Sequence, residues 1–392
     1  MDQLSGAGKR PHQLSESASI LLDIVRFAAA IGVVVSHSGK KVFGTGWREQ
    51  SIWGNLAVPM FFVLSGFIIR FVTRSRQANP REYSIDRVSR IYSVVLPAML
   101  ATLLCSGLCL LLNHDRFLHD WSPFFNHPIA RLLLNLTFLS QIWGLNTIPF
   151  INSPFWSLGY ECLYYVFYGF VIFLRGWKRI AVCAALALLI GPQVMFLLPL
   201  WWLGCWLYDA YHRVRGRRAS SIALAVLAIW STISSLARLT GTGRMPFEPA
   251  SILFSIASLP NPIPLLGQPI HRATMFAYGA GIVGATLLFL TLLAVDFIPL
   301  PRNASWKQSI RRIADGTFVI YLFHYPILLL FTYAGFIRYG HNLENIAVLT
   351  AMVCALIALA IPVDALKRHM RSRLHAVVPS RPSALQLPLE SN

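Results

Sequence analysis

Long apolar runs separated by short polar connections make up most of this chain, and the runs approach the ~20 residues that a helix needs to cross a bilayer core. Ten windows stand out: 18–38, 52–73, 90–112, 154–175, 178–192, 194–209, 220–238, 273–297, 313–337 and 343–364. Each predicts a membrane-spanning helix. The segment 130–147 reads as a short re-entrant or surface helix, and 178–209 divides into two short spans at the breaker Gly191-Pro192-Gln193. No internal repeat or low-complexity tract appears. The end, "PSRPSALQLPLESN", reads as a disordered tail. The expected organisation is a polar N-terminal tail over 1–17, a membrane domain over 18–364, and a basic, disordered C-terminal tail over 365–392. The fold class is all-α and polytopic, with about ten transmembrane helices.

The first window, "SILLDIVRFAAAIGVVVSHSG", breaks the apolar pattern with Asp23, Arg26 and His37. Charges at membrane depth are costly and face a protein interior, where they pair or act on a substrate. Eleven residues at 100° per step bring Arg26 and His37 within about 20° of each other on a helix, roughly 16 Å apart along its axis. One inward stripe carries both. Asp23, three residues before Arg26, is placed to pair with it.

Composition agrees with the pattern: 392 residues are 55% hydrophobic and 13% charged, with a mean hydropathy of +0.56. The net charge of +18 raises the question of nucleic acid, which topology answers. With both termini cytoplasmic, the inner segments hold 24 basic residues and the outer ones nine: Lys40, Lys41, Arg48, Arg116, Arg131, Arg238, Arg244, Arg272 and Arg338. That bias follows the positive-inside rule, so no nucleic-acid partner is needed. The inner set comprises Lys9 and Arg10, six arginines from Arg70 to Arg90, and clusters at 175–179, 213–218, 302–312 and in the tail. Merging 178–209 into one span would put "RVRGRR" outside. The six cysteines lie in apolar runs without a metal pattern and read as small buried hydrophobes. No residues are assigned to a metal. The N-terminal run lacks a clear cleavage site, which favours a retained first helix over a signal peptide.

Five segments recur in a recognisable order: "LDIVRFAAAIGVVVSH", "VPMFFVLSGFIIR", "DRVSRIY", "FWSLGYECLYYVFYG" and "IYLFHYPI". In order and distance they resemble the acyltransferase-3 family of integral-membrane acyltransferases, over residues 20 to 365. The resemblance implies transfer of an acyl group, most often acetyl, from cytoplasmic acyl-coenzyme A to a hydroxyl of a glycan or glycolipid outside the membrane. Acyl-coenzyme A would be a co-substrate, with no resident cofactor. Arg26 and His37 match the family's Arg-x10-His signature, which implies an essential catalytic His37 with Arg26 supporting the donor or the site. Trp156, Ser157 and Glu161 match a Trp-Ser-Leu-x-x-Glu signature. The family's late acidic position is met, if at all, by Asp364.

The chemistry of the residues bears on the same roles. Attack by a hydroxyl on a thioester needs a base of near-neutral pKa, which histidine supplies; His37 as base or as transient acyl carrier stays open. Ser65 and Gly66 are small residues that either let helices approach or wall the acyl chain. Arg87 and Arg90, one turn apart, suit the phosphates of coenzyme A. Ser157, Glu161, Tyr164, Tyr165 and Tyr168 recur on one side of their helix, where Glu161 would orient the imidazole or hold acceptor hydroxyls. Trp156 serves equally as an interfacial aromatic. Tyr321 and His324 precede Pro326, which frees a carbonyl one turn back that either side chain could satisfy.

Together these give a stand-alone inner-membrane O-acyltransferase, working among membrane lipid. The rival reading is a secondary transporter or flippase in which Asp23, Arg26 and Glu161 couple transport. Transporters carry inverted repeats and paired broken helices, and the sequence shows neither.

Overall fold

The structure, a computed structural model, describes residues 13–42, 50–76, 79–239, 263–265, 268–270, 272–301, 304–338 and 341–378. Lys9, Arg10, Arg48, Arg244, Arg302 and Arg381 lie outside the described residues. The helices are α1 (Glu16–Val42), α2 (Gln50–Arg76), α3 (Pro80–Leu112), α4 (His114–Trp121), α5 (Pro128–Leu136), α6 (Trp156–Phe173), α7 (Gly176–Ile190), α8 (Pro192–Val214), α9 (Arg217–Leu239), α10 (Arg272–Val295), α11 (Ser305–Asp315), α12 (Thr317–Tyr333) and α13 (Asn342–Val377). One small antiparallel hairpin, β1 (Ile263–Leu265) with β2 (Gln268–Ile270), is an exception to the all-α expectation.

A helix lies over each of the ten predicted windows, but fewer are long and apolar enough to cross a membrane. Five qualify among the described residues: α1, α2, α3, α10 and α13. A sixth counts if α11 and α12, bent by 48° at Gly316, form one broken span. At 15 residues α7 reaches only ~22 Å, short of the ~30 Å hydrocarbon core. Tyrosines, tryptophans and the carboxylates Glu161 and Asp209 interrupt the apolar runs of α6 and α8. The break expected at Gly191 separates α7 from α8, with Gly191 at φ 87°. The segment expected to form a short helix at 130–147 contains α5, then a loop with Phe138, Trp143 and Asn146 at positive φ.

Two helices outrun their apolar windows. At 33 residues α3 is ~50 Å long, so its charged first three turns extend beyond a run whose exposed face is a stripe of Leu96, Leu100, Leu104, Leu108 and Leu111. A leucine stripe this exposed needs lipid, not water, against it. α13 continues to Val377, so residues 365–377 are helical and not the disordered tail that their charge implied. Long-range ion pairs hold this extension against the start of α3: Arg371 meets Asp86 at 2.9 Å, and Arg81 donates to the carbonyl of His375 at 2.9 Å.

α2 lies at the centre, packed against α1, α8 and α10, while α12 packs against α3, α13 and α1. The α2–α8 contact is close because both helices present glycine. A Cβ on Gly66 would collide with the Trp201 carbonyl, and one on Gly204 with the Val63 carbonyl, so small residues let the two backbones meet. Arg70 spans the same interface to Asp209 at 2.7 Å. Further pairs tie one end of the bundle together: Lys307 with Glu16 at 2.7 Å, Arg215 with Asp296 at 3.6 Å, and the Ser17 hydroxyl with the Ile298 carbonyl at 2.6 Å. The start of α1 and the ends of α8 and α10 therefore share one end.

Candidate active site

Residues from α1, α2, α3, α6 and α12 line a cavity. Its polar wall collects Arg26, Ser65, Arg87, Arg90, Ser157, Glu161, Tyr165 and Tyr321, and Phe61, Phe62, Leu64 and Ile68 contribute to the apolar wall. Seven of these eight polar residues were singled out in the sequence; Tyr165 was seen only as part of a tyrosine face. That face divides. Ser157, Glu161 and Tyr165, at spacings of four, line the cavity, whereas Tyr164 turns toward α8, donating to the Val194 carbonyl at 2.6 Å. Tyr168 stacks edge-on against Trp201, with ring centroids 5.6 Å apart.

Glu161 anchors a cluster of hydroxyls. Its Oε1 accepts from Ser65 at 2.6 Å and from the Tyr165 hydroxyl, and Trp201 Nε1 donates to Ser65 at 3.1 Å. Hydrogen bonds to an ionised acceptor are the strong kind, so this carboxylate fixes α6 against α2 inside the cavity. Trp201 had no signal of its own in the sequence, because a tryptophan within an apolar run reads as core.

Three guanidiniums line the same cavity as this carboxylate. Arg26 lies 3.8 Å from Asp23, the pairing that their spacing predicts. Arg87 is 9% exposed, and its buried Nε has no hydrogen-bond partner among the described residues; its guanidinium sits 5.7 Å from the Tyr165 ring centre. A buried donor left unpaired is costly, and the cavity is where its partner would enter. The carboxylate nearest in sequence, Asp86, is held by Arg371 at 2.9 Å. The cavity lining thus carries three arginines and one carboxylate.

At His37 the surroundings are aromatic. The His324 ring lies 5.4 Å away, tilted by 43°, and the Tyr325 ring 4.9 Å away, edge-on. His324 is fully buried, and its Nδ1 lies 3.0 Å from the Ile320 carbonyl and 2.9 Å from the Tyr321 carbonyl. Carbonyls only accept, so Nδ1 carries the proton, and Nε2, buried without a hydrogen-bond partner among the described residues, is left as an acceptor. The carbonyl that Pro326 frees, on Leu322, is satisfied by Asn152 at 3.0 Å, not by His324 or Tyr321. Tyr321 instead links the cavity to this corner, its hydroxyl 2.5 Å from Ser157 and its ring 6.3 Å from His324. A polar line thus runs from Glu161 one turn back to Ser157, across to Tyr321, and one turn on to His324 beside His37. Tyr325 was not singled out in the sequence, although it stands next to His324 in "IYLFHYPI".

Other expected site residues lie off the cavity. Gly66 does not line it: the α2–α8 packing described above consumes its small size, and Cys205 Sγ lies 3.2 Å from its carbonyl. Trp156 packs edge-on against Tyr160 with centroids 5.4 Å apart. Among the described residues, no group of three His, Cys, Asp or Glu side chains is placed to hold a metal ion.

Comparison with known proteins matches residues 20–365 to a family model described as an acyltransferase domain. The chain is also 26% identical over 346 residues to Acyltransferase MdmB of Streptomyces mycarofaciens, covering 81% of this chain and 79% of that protein. No solved structure matches.

Proposed function

This chain belongs to the acyltransferase-3 family, and from that premise we propose that it is a membrane O-acyltransferase moving an acetyl group from acyl-coenzyme A to a hydroxyl of an extracytoplasmic glycan or glycolipid. The observation that carries the reading is a cavity with an arginine wall suited to phosphates, from whose Ser157 and Tyr321 a line of side chains leads through His324 to His37, outside the cavity lining. We place the enzyme in the inner membrane with both termini cytoplasmic, the shorter helices α6 to α9 completing ten spans.

In the proposed reaction the acceptor oxygen attacks the thioester carbonyl carbon as His37 takes the hydroxyl proton. A C–O bond forms, the C–S bond breaks, and coenzyme A leaves as the thiolate, which receives that proton from the imidazolium. Arg26, Arg87 and Arg90 hold the donor's phosphates, and the bare Nε2 of His324 orients His37 or the incoming hydroxyl.

The test is acetyl transfer from radiolabelled acetyl-coenzyme A to envelope glycans in membranes holding the full chain. His37→Ala is expected to lower transfer by about 10²-fold or more, the scale of a positioned acid-base group, with coenzyme A still bound. Transfer within a few-fold of wild type would remove His37 as the base.

A further inference from the structure

A second cavity adjoins the first, and Arg26 and Arg90 line both. Its other charged side chains come from elements that the first cavity does not use for charge: Asp315 at the end of α11, and Asp364 and Lys367 on α13. Ser93 of α3 adds a hydroxyl. The two chambers differ in character, the first largely apolar beyond its arginine wall and the second ringed by charges of both signs.

We propose that the second chamber receives the phosphorylated nucleoside end of the donor, while its diphosphate lies across the shared arginines and its pantetheine arm runs into the first chamber. The inference rests on acyl-coenzyme A being the donor. Mixed charge is what distinguishes a nucleoside from a plain anion. Two carboxylates would repel a bare phosphate, yet they are the acceptors that an adenine amino group and a ribose hydroxyl require. Lys367 supplies a compact cation for the 3′-phosphate. It now lies 3.1 Å from Asp364, which is also bonded to Arg368, so an arriving phosphate can take Lys367 while Arg368 keeps the carboxylate. The distances fit the division as well. Arg26, at the shared wall, and His37 are separated along α1 by roughly 16 Å of helix rise, which an extended pantetheine arm has to span.

The experiment compares acetyl-coenzyme A with acetyl-dephospho-coenzyme A, which lacks only the 3′-phosphate, on the purified full chain. Wild type is expected to favour the complete donor about tenfold in KM at similar kcat, the worth of one charge-assisted hydrogen bond. Lys367→Ala should raise KM for the complete donor to that of the dephospho form and leave the latter unchanged, whereas Lys367→Arg keeps the preference. Lys367 is 45% exposed, so neither change threatens folding. Adenosine 3′,5′-bisphosphate should compete with donor in wild type and about tenfold less well in Lys367→Ala. Undiminished discrimination by Lys367→Ala, or a wild type indifferent to the 3′-phosphate, overturns the chamber's assignment while leaving the donor reading intact. A wild type that consumes neither thioester overturns both.

Discussion

Glu161 is the one carboxylate in a chamber walled by three guanidiniums, and its bonds to Ser65 and Tyr165 spend it on holding that wall together. Glu161→Gln keeps the size and one accepting oxygen but removes the charge that strengthens both bonds. Turnover is expected to fall by about 10²-fold, the scale of misplacing a site by about 1 Å, while donor affinity does not fall, because the neutral side chain no longer offsets the arginines. Steady-state kinetics with acetyl-coenzyme A reads both quantities; normal turnover, or a donor KM that rises with the loss, contradicts this role. The pairing of Arg26 with Asp23 and the shared stripe of Arg26 and His37 were legible because helical spacing alone sets them. The partners of Glu161 were not, since Ser65 lies 96 residues away on another helix. Gly66 misled for a related reason: Ser65 and Gly66 are neighbours in sequence, yet one residue turns into the cavity and the next into α8.

The same glycine sets the fit of whole elements. With Gly66 and Gly204 facing each other's backbones, α2 and α8 cannot accept a methyl group without moving apart, because the obstacle is a carbonyl and not the flexible end of a side chain. Gly66→Ala is expected to cost about 1–3 kcal/mol, the usual range for overpacking, and to loosen the Trp201–Ser65 bond with it. Gly107→Ala, where nothing lies within 4 Å, should be neutral or mildly stabilising, because alanine is the better helix former. Thermal unfolding of the purified variants separates them, and equal melting temperatures would contradict the packing account. Helix positions were readable from apolar runs and from the Gly191 break. The extension of α13 was not, since a charged segment reads as tail until its partners, Asp86 and Glu82 on α3, are seen.

Across the whole molecule, ion pairs and caps gather the start of α1, the start of α3 and the ends of α8, α10 and α13 at one basic end. The arginine wall and the second chamber open from this region, and α1 carries His37 away from it. Such a layout lets a charged donor stay at one membrane face while only its acyl end travels inward, which spares the cost of moving phosphates through hydrocarbon. The division into two chambers was not legible in the sequence, because it needed the meeting of α1, α3, α11 and α13. Transfer is therefore expected to depend on the face at which donor is supplied. The decisive measurement adds radiolabelled acetyl-coenzyme A to sealed membrane vesicles of opposite orientation and follows label into envelope glycan. Inverted vesicles, which expose the cytoplasmic face, should acylate, and right-side-out vesicles should not until they are permeabilised. Equal labelling in both orientations, or labelling that survives His37→Ala, would contradict the account.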